Sequence, residues 1–262
     1  MKIVVLIKQV PGTDNVKMNP ETGTMVRTGR DNVINPLDEN ALEAALRIKA
    51  RHPGTVITAV SMGPPSARKA LKEAVALGAD NGVLLSAKAF AGSDTIVTAR
   101  VLAAAVRKLG EADLILCGER ATDGETGQTG PMVAEMLDIP LVSYVKHMDV
   151  GEKGVLAERI VEDGFELVEV PFPCLINVVK DINEPGFPSL RGKVRARDVD
   201  LPAWGPEELG LTAEETGLTG SPTRVVKIFT PKLSRDTQFY KHDGSGKAIG
   251  ALLRFLGEKE VL

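Results

Sequence analysis

Across roughly its first 145 residues the chain alternates between short continuous apolar runs and segments whose apolar residues recur at helical spacing. The apolar runs lie at 2–7, 56–60, 83–85, 114–117 and 141–145. Unbroken apolar strands belong in a parallel sheet covered on both faces, whereas a sheet with one wet face shows alternation. Between the strands, Leu37, Ala41, Ala44, Ala45 and Ile48 mark one helix, entered through Asn35 and Pro36 with Asp38 in its first turn. Ala67, Ala70, Leu71, Ala74 and Val75 mark a second helix, closed by Gly78. Ser93 and Asp94 can cap a third, which runs to Leu109 and stops at Gly110. This pattern predicts an α/β fold with a doubly wound, mostly parallel sheet, and right-handed crossovers limit its topology.

Ligands of such sheets bind at the carboxyl ends of the strands. Three segments are expected to meet there: residues 8–11, 62–65 and 118–131. The last follows the strand at 114–117, carries Gly124, Gly127 and Gly130 at every third position, and enters a helix near Pro131. A helix start leaves about four N–H groups unpaired, and with the helix dipole these favour an anion. Glycines let the backbone approach a ligand closely, so a phosphate or pyrophosphate is the expected ligand.

After residue 151 the pattern changes. Runs at 154–160, 165–170 and 174–179 are joined by short turns, Glu162-Asp163-Gly164 being a hairpin signal, and are expected to add antiparallel members to the sheet. Residues 183–191 read as an extended loop, followed by the basic Arg191, Lys193, Arg195 and Arg197. Residues 199–232 are rich in Pro, Gly and Thr and are expected to lie outside the core. Near the end, Ile249, Leu252, Leu253 and Leu256 form a helix stripe with Asp243 or Ser245 as caps. So short a helix needs something to dock on, either the body of the protein or a partner. The expected division is a nucleotide-binding α/β domain at 1–198 and a C-terminal arm and helix at 199–262.

A formal charge of -3 argues against a general nucleic-acid binder. The chain has no apolar run long enough to span a membrane, and the first strand is too short for a secretory signal, so a cytoplasmic location is expected. Cys117 and Cys174 lie in or beside apolar runs without metal-ligand spacing and read as buried thiols, and no metal site is expected. His52, His147 and His242 stand without partners for catalysis, and serine-hydrolase, zinc-protease, Walker and Rossmann motifs are missing. Asp113, Asp123 and Glu125 read as caps or turn residues more readily than as acids or bases. The expectation is a nucleotide site with no catalytic residue of its own, in which a cofactor carries the chemistry.

Along essentially its whole length the chain resembles the beta subunit of electron transfer flavoprotein. The matching residues are Lys8-Gln9-Val10-Pro11, Asn35-Pro36-Leu37-Asp38-Glu39, Met62-Gly63-Pro64-Pro65, Ala76-Leu77-Gly78-Ala79-Asp80, Ala121-Thr122-Asp123-Gly124, Gln128-Thr129-Gly130-Pro131, Pro173-Cys174-Leu175 and Asn183-Glu184-Pro185. The resemblance implies an adenine nucleotide alpha hydrolase-like sheet and an obligate electron transfer flavoprotein alpha subunit, with a flavin held at their interface. It further implies an adenine nucleotide in the beta subunit, FAD in electron-bifurcating members or AMP in the others. Carried over by position, the nucleotide contacts fall on Leu6, Asn35, Pro36, Asp38 and Met62, and on Ala121, Thr122, Asp123, Gly124, Glu125, Thr126, Gly127, Gln128, Thr129 and Met132. Lys8 and Thr95 complete the expected flavin shell, and Leu190, Arg191, Lys193 and Arg195 the partner-binding loop. Gly124 and Gly220-Ser221-Pro222-Thr223 resemble the bifurcating branch. That branch implies NADH as electron donor, ferredoxin or flavodoxin as low-potential acceptor, and an acyl-CoA-type dehydrogenase as the other partner. An adenine-nucleotide-hydrolysing enzyme and a nucleotide sensor that acts alone are the competing readings.

Overall fold

The computed structural model describes residues 1–12, 32–226, 239, 241 and 244–261. His242 and Asp243 lie outside the described residues. The chain divides into two compact units, Met1–Val225 and Val226–Leu262.

The first unit is built on strands β1 (Lys2–Leu6), β4 (Val56–Met62), β5 (Asn81–Leu85), β6 (Leu114–Gly118), β7 (Leu141–Val150), β8 (Gly154–Val161), β9 (Gly164–Pro171), β10 (Cys174–Val178) and β11 (Ala203–Trp204). They form one sheet in the order β11-β5-β4-β1-β6-β10-β7-β8-β9. All pairings from β11 to β7 are parallel, and β8 and β9 add an antiparallel hairpin. Short strands β2 (Gln9–Pro11) and β3 (Asn32–Ile34) pair separately and antiparallel.

Alternation along the strands supplies both faces of the sheet. On one face Ile3, Val5 and Ile7 pack with Ile57, Leu114, Leu116 and Ile176 under α1 (Pro36–Arg51) and α2 (Arg68–Leu77). On the other, Val4 and Leu6 pack with Val60, Leu85, Ile115 and Leu175 under α3 (Thr95–Leu109) and α4 (Thr129–Leu137). A continuous apolar run is therefore what this sheet requires, since both sides of each strand are dry. Asp94 caps α3, its side chain accepting from Val97 N. Both cysteines are buried free thiols. Burial pushes Cys174 up to about 12 and Cys117 higher still, so both stay protonated and inert.

Several boundaries differ from the sequence expectation, each for a physical reason. α4 begins at Thr129, two residues before Pro131, because Pro131 fits the first turn equally well. Asn35 stands at the N-cap of α1, but its side chain makes no capping bond there. Residues 190–197, expected as loop and basic patch, form α5 (Leu190–Asp198), with Ser189 accepting from Gly192 N as N-cap. Its only buried residue is Ala196, so it has no apolar stripe to read. Residues 199–225 belong to the first unit: Leu201 is buried in the core, Leu84 N donates to Pro202 O, and β11 extends the sheet at β5.

In the second unit, α6 (Lys247–Glu258) starts from Gly246 rather than a side-chain cap, and Ile249, Leu252, Leu253 and Phe255 are each more than half exposed. Among the described residues no helix is long and apolar enough to cross a membrane.

Candidate functional site

The chain runs outward from β1 through β4 to β5, then returns to place β6 on the other side of β1. The direction of winding thus reverses between β1 and β6, and the carboxyl ends of the strands diverge there into a crevice. A cavity of about 1120 Å³ opens at this point. It runs from Lys8 and Gly118 past Met62 and Pro65 to Ser86, Asp94 and Thr95.

Asp38 ties the floor together. Its Oδ2 accepts Lys8 N at 2.8 Å beyond β1, and its Oδ1 accepts Gly118 N at 3.0 Å at the end of β6. One carboxylate in the first turn of α1 thereby bridges the two strands between which the crevice opens. Burial pushes its pKa up to about 7, although both backbone donors, Asn35 and the Lys8 charge pull it down. Gly118 is required for this approach: a Cβ there would lie 2.7 Å from Leu37 backbone and side chain.

Asn35, fully buried, explains its missing cap bond by what it holds instead. Its Nδ2 donates to Arg120 O at 2.9 Å, and its Oδ1 accepts Thr122 N at 3.2 Å. The loop after β6 is thus pinned to the start of α1. Lys8 Nζ lies 2.5 Å from Asp123 Oδ1, with the aspartate side chain only 6% exposed. Beyond this pair the loop turns through Glu125 (φ 50°) and Gly127 (φ 64°) into α4. The first-turn N–H groups of Thr129 and Gly130 have no carbonyl within the helix to pair with, and both residues line the cavity. A helix start of this kind favours an anion.

Among the expected contacts, Leu6, Lys8, Asp38, Met62, Thr95, Ala121, Gly124, Glu125, Thr126, Gly127, Gln128 and Thr129 line one cavity. Asn35, Thr122 and Asp123 stand behind the loop and fix it, through the bonds just described. Pro36 is exposed and Met132 packs against the α3/α4 core, so neither is on the cavity wall. Gly130 has a packing role, since a Cβ there would come within 2.7 Å of Cys117 Sγ. Sequence reasoning missed the far wall, Ser86 to Asp94 with Thr98 and Leu102. The rule that places sites at strand carboxyl ends reaches this segment too, because it follows β5.

One further wall is unexpected. Asp94 Oδ2 accepts both Thr223 N at 3.1 Å and Thr223 Oγ1 at 2.8 Å, while Asp94 N donates to Ser221 Oγ at 2.9 Å. Slight burial would raise the Asp94 pKa, but these donors and Val97 N hold it below the usual range. Ser221 and Thr223 are thereby fixed at the cavity's far end, and Val225 lines it.

Leu190, Arg191 and Lys193 are exposed on α5, far along the chain from the cavity loops. Arg195 is committed inward: its Nη2 donates to Val75 O at 2.6 Å and Ala79 O at 2.8 Å, closing the carbonyl end of α2. Asp123→Ala is expected to quicken amide exchange of residues 119–127 about tenfold, because the loop loses its tie to Lys8. Exchange followed by mass spectrometry checks this.

The family model described as the electron transfer flavoprotein domain matches residues 22–207. The caffeyl-CoA reductase-Etf complex subunit CarD of Acetobacterium woodii is 41% identical over 262 residues, covering 100% of both chains. The electron transfer flavoprotein subunit beta of Thermoanaerobacterium thermosaccharolyticum is 44% identical over 263 residues, again covering 100% of both. The acryloyl-CoA reductase electron transfer subunit gamma of Anaerotignum propionicum is 42% identical over 240 residues, with 88% of this chain and 89% of the relative covered. With the family model matched over most of its length and relatives aligned from end to end, the chain belongs to the electron transfer flavoprotein family, among its beta subunits.

Proposed function

We propose that this chain is the FAD-binding beta subunit of a heterodimeric, electron-bifurcating electron transfer flavoprotein. The observation that carries the reading is the extent of the cavity. At about 1120 Å³ it exceeds the roughly 300–1,000 Å³ of ordinary small-molecule sites, and it continues from the anion-binding end of α4 to Thr95 at the start of α3. A mononucleotide such as AMP would occupy only the part near β1 and β6.

The residues fit a dinucleotide in two parts. The N–H groups of Thr129 and Gly130, with Lys8 nearby, suit the pyrophosphate. Leu6, Met62, Phe90 and Leu102 offer an apolar wall for a ring system, with Ser86 and Thr95 as polar groups to orient it. A flavin bound there would supply hydride acceptance from NADH and electron release along two routes, one to ferredoxin or flavodoxin and one through the alpha subunit to an acyl-CoA-type dehydrogenase. The chain's own part is to bind, orient and shield.

Two relatives support the nature of the second partner, since their names couple them to reductases of CoA thioesters. Exposed Leu190, with Arg191 and Lys193 beside it, supports the same segment as the contact to the dehydrogenase.

Two experiments test the reading. Leu190→Ala should weaken electron delivery to the dehydrogenase about tenfold, the scale of about 1.4 kcal/mol for one buried aliphatic anchor, with bound flavin unchanged. Loss of flavin instead would make the loop structural. For bifurcation, ferredoxin reduction by NADH should require, together, the dehydrogenase and an enoyl-CoA, which takes up the other electrons as it is reduced to the acyl-CoA. Ferredoxin reduction at the same rate without them would refute coupled electron flow.

A further inference from the structure

The segment that carries Leu190 has a support within α1 that the docking surface itself does not explain. After the turn at Lys180–Ile182, the chain from Asn183 to Ser189 has no helix or strand of its own. Three of its backbone groups, at Asn183, Glu184 and Gly186, are met by one row of α1 side chains, Asn40, Glu43 and Arg47, spaced at i, i+3 and i+7 so that all three face the same way. Arg47 Nη2 donates to Glu184 O at 3.1 Å, and Glu43 Oε2 accepts Gly186 N at 3.3 Å. These two are partly exposed and pair with each other at 2.7 Å.

Asn40 differs from them. It is 3% exposed, and its Nδ2 lies within hydrogen-bond distance of Asn183 O (2.8 Å), Asn183 Oδ1 (3.1 Å) and Lys180 O (3.2 Å). Asn183 answers, its Nδ2 donating to Asn40 O at 3.0 Å. Each amide thus reaches the other residue's backbone, and the carbonyl of Asn40 accepts on a lone pair that its own helix does not need. A reciprocal pair with one partner buried fixes a loop more firmly than exposed ion pairs, which water and salt compete with.

What the clamp holds in place is an apolar pair that folding leaves in water. Phe187 is 98% exposed and Leu190 81%. A loop ordered in advance loses less entropy when a partner covers such side chains. We propose that Asn40 and Asn183 are positioning residues, whose reciprocal amide clamp holds residues 183–189 in the conformation that presents Phe187 and Leu190 to the electron-accepting dehydrogenase. This rests on the reading of Leu190 as a docking contact. The same helix carries Asp38 one half-turn earlier, so the cavity and the docking loop are referred to one rigid element.

The test uses the complete heterodimer with a purified short-chain acyl-CoA dehydrogenase as the varied partner. Asn40→Ala, Asn183→Ala and Asn40→Asp, which keeps the size but loses the donors, should each raise KM for the dehydrogenase about tenfold, with kcat at saturation within about twofold and bound nucleotide unchanged. The Asn40→Ala/Asn183→Ala pair should be little worse than either alone, since both remove one clamp. Amide exchange of residues 183–189 should quicken about tenfold in the absence of any partner. If Leu190→Ala raises KM while Asn40→Ala leaves KM and exchange unchanged, the clamp does not position the loop and the inference falls alone. If Leu190→Ala itself leaves KM unchanged, the docking reading falls and takes the inference with it. If Asn40→Ala loses nucleotide with KM unchanged, Asn40 supports the cavity instead, which also overturns the inference.

Discussion

Gly118→Ala should empty the nucleotide cavity and destabilise the chain by about 3 kcal/mol, the sum of an overpacked contact and a damaged charge-assisted hydrogen bond. The added Cβ would lie 2.7 Å from Leu37 C and Cβ and 2.8 Å from Asp38 Oδ1. None of these atoms can give way cheaply. Leu37 is buried at the start of α1, and the Asp38 carboxylate is fixed from both sides by Lys8 N and Gly118 N. Relief requires α1 to move off β6, which separates the two halves of the crevice. Urea unfolding and nucleotide content of the purified complex measure the two effects. Normal stability with full nucleotide content would mean that α1 and β6 do not need this close approach.

Asp38→Asn should have the next largest effect, with a pH dependence of defined sign. The carboxyl titrates near 7 in the folded chain, because burial outweighs its donors. A raised acid contributes stability that is complete below its unfolded pKa near 3.9 and is lost as pH rises to the folded value, a change of about 4 kcal/mol over some three units. Wild-type stability should therefore fall between about pH 4 and pH 7 through this group. Asparagine carries no such titration, but its NH2 must face one of the two backbone N–H donors, at a cost of about 1–3 kcal/mol. The variant should be clearly weaker than wild type at pH 5, and the gap should narrow by pH 8. Denaturant unfolding at both pH values checks this; parallel stabilities across the range would show that Asp38 is ionised throughout.

Much of this was legible in the sequence, and the reasons are specific. The parallel body could be read because strands buried on both faces leave unbroken apolar runs, as at Leu114, Ile115 and Leu116. The near wall of the cavity could be read because its glycines and helix start follow directly on the carboxyl end of β6. α5 was hidden because it buries only Ala196 and rides on α2 with its polar side outward. Residues 199–225 looked like an arm because their ties to the body are scattered, among them Leu201 in the core, a two-residue strand at the sheet edge and the bonds of Ser221 and Thr223 to Asp94, which leave no periodicity. The partners of Asn35 were hidden for a related reason. Its position signals a helix cap, while its actual partners, Arg120 and Thr122, are some 85 residues away in the chain and only the fold brings them near.

The two walls together make the cavity larger than a phosphate loop alone would suggest, and on that size rests the proposal that the beta subunit holds a flavin. The most direct measurement is the nucleotide content of the purified heterodimer, released by denaturation and separated by chromatography. The account predicts about two FAD per heterodimer, with Gly118→Ala reducing this by one; one FAD together with one AMP would contradict it.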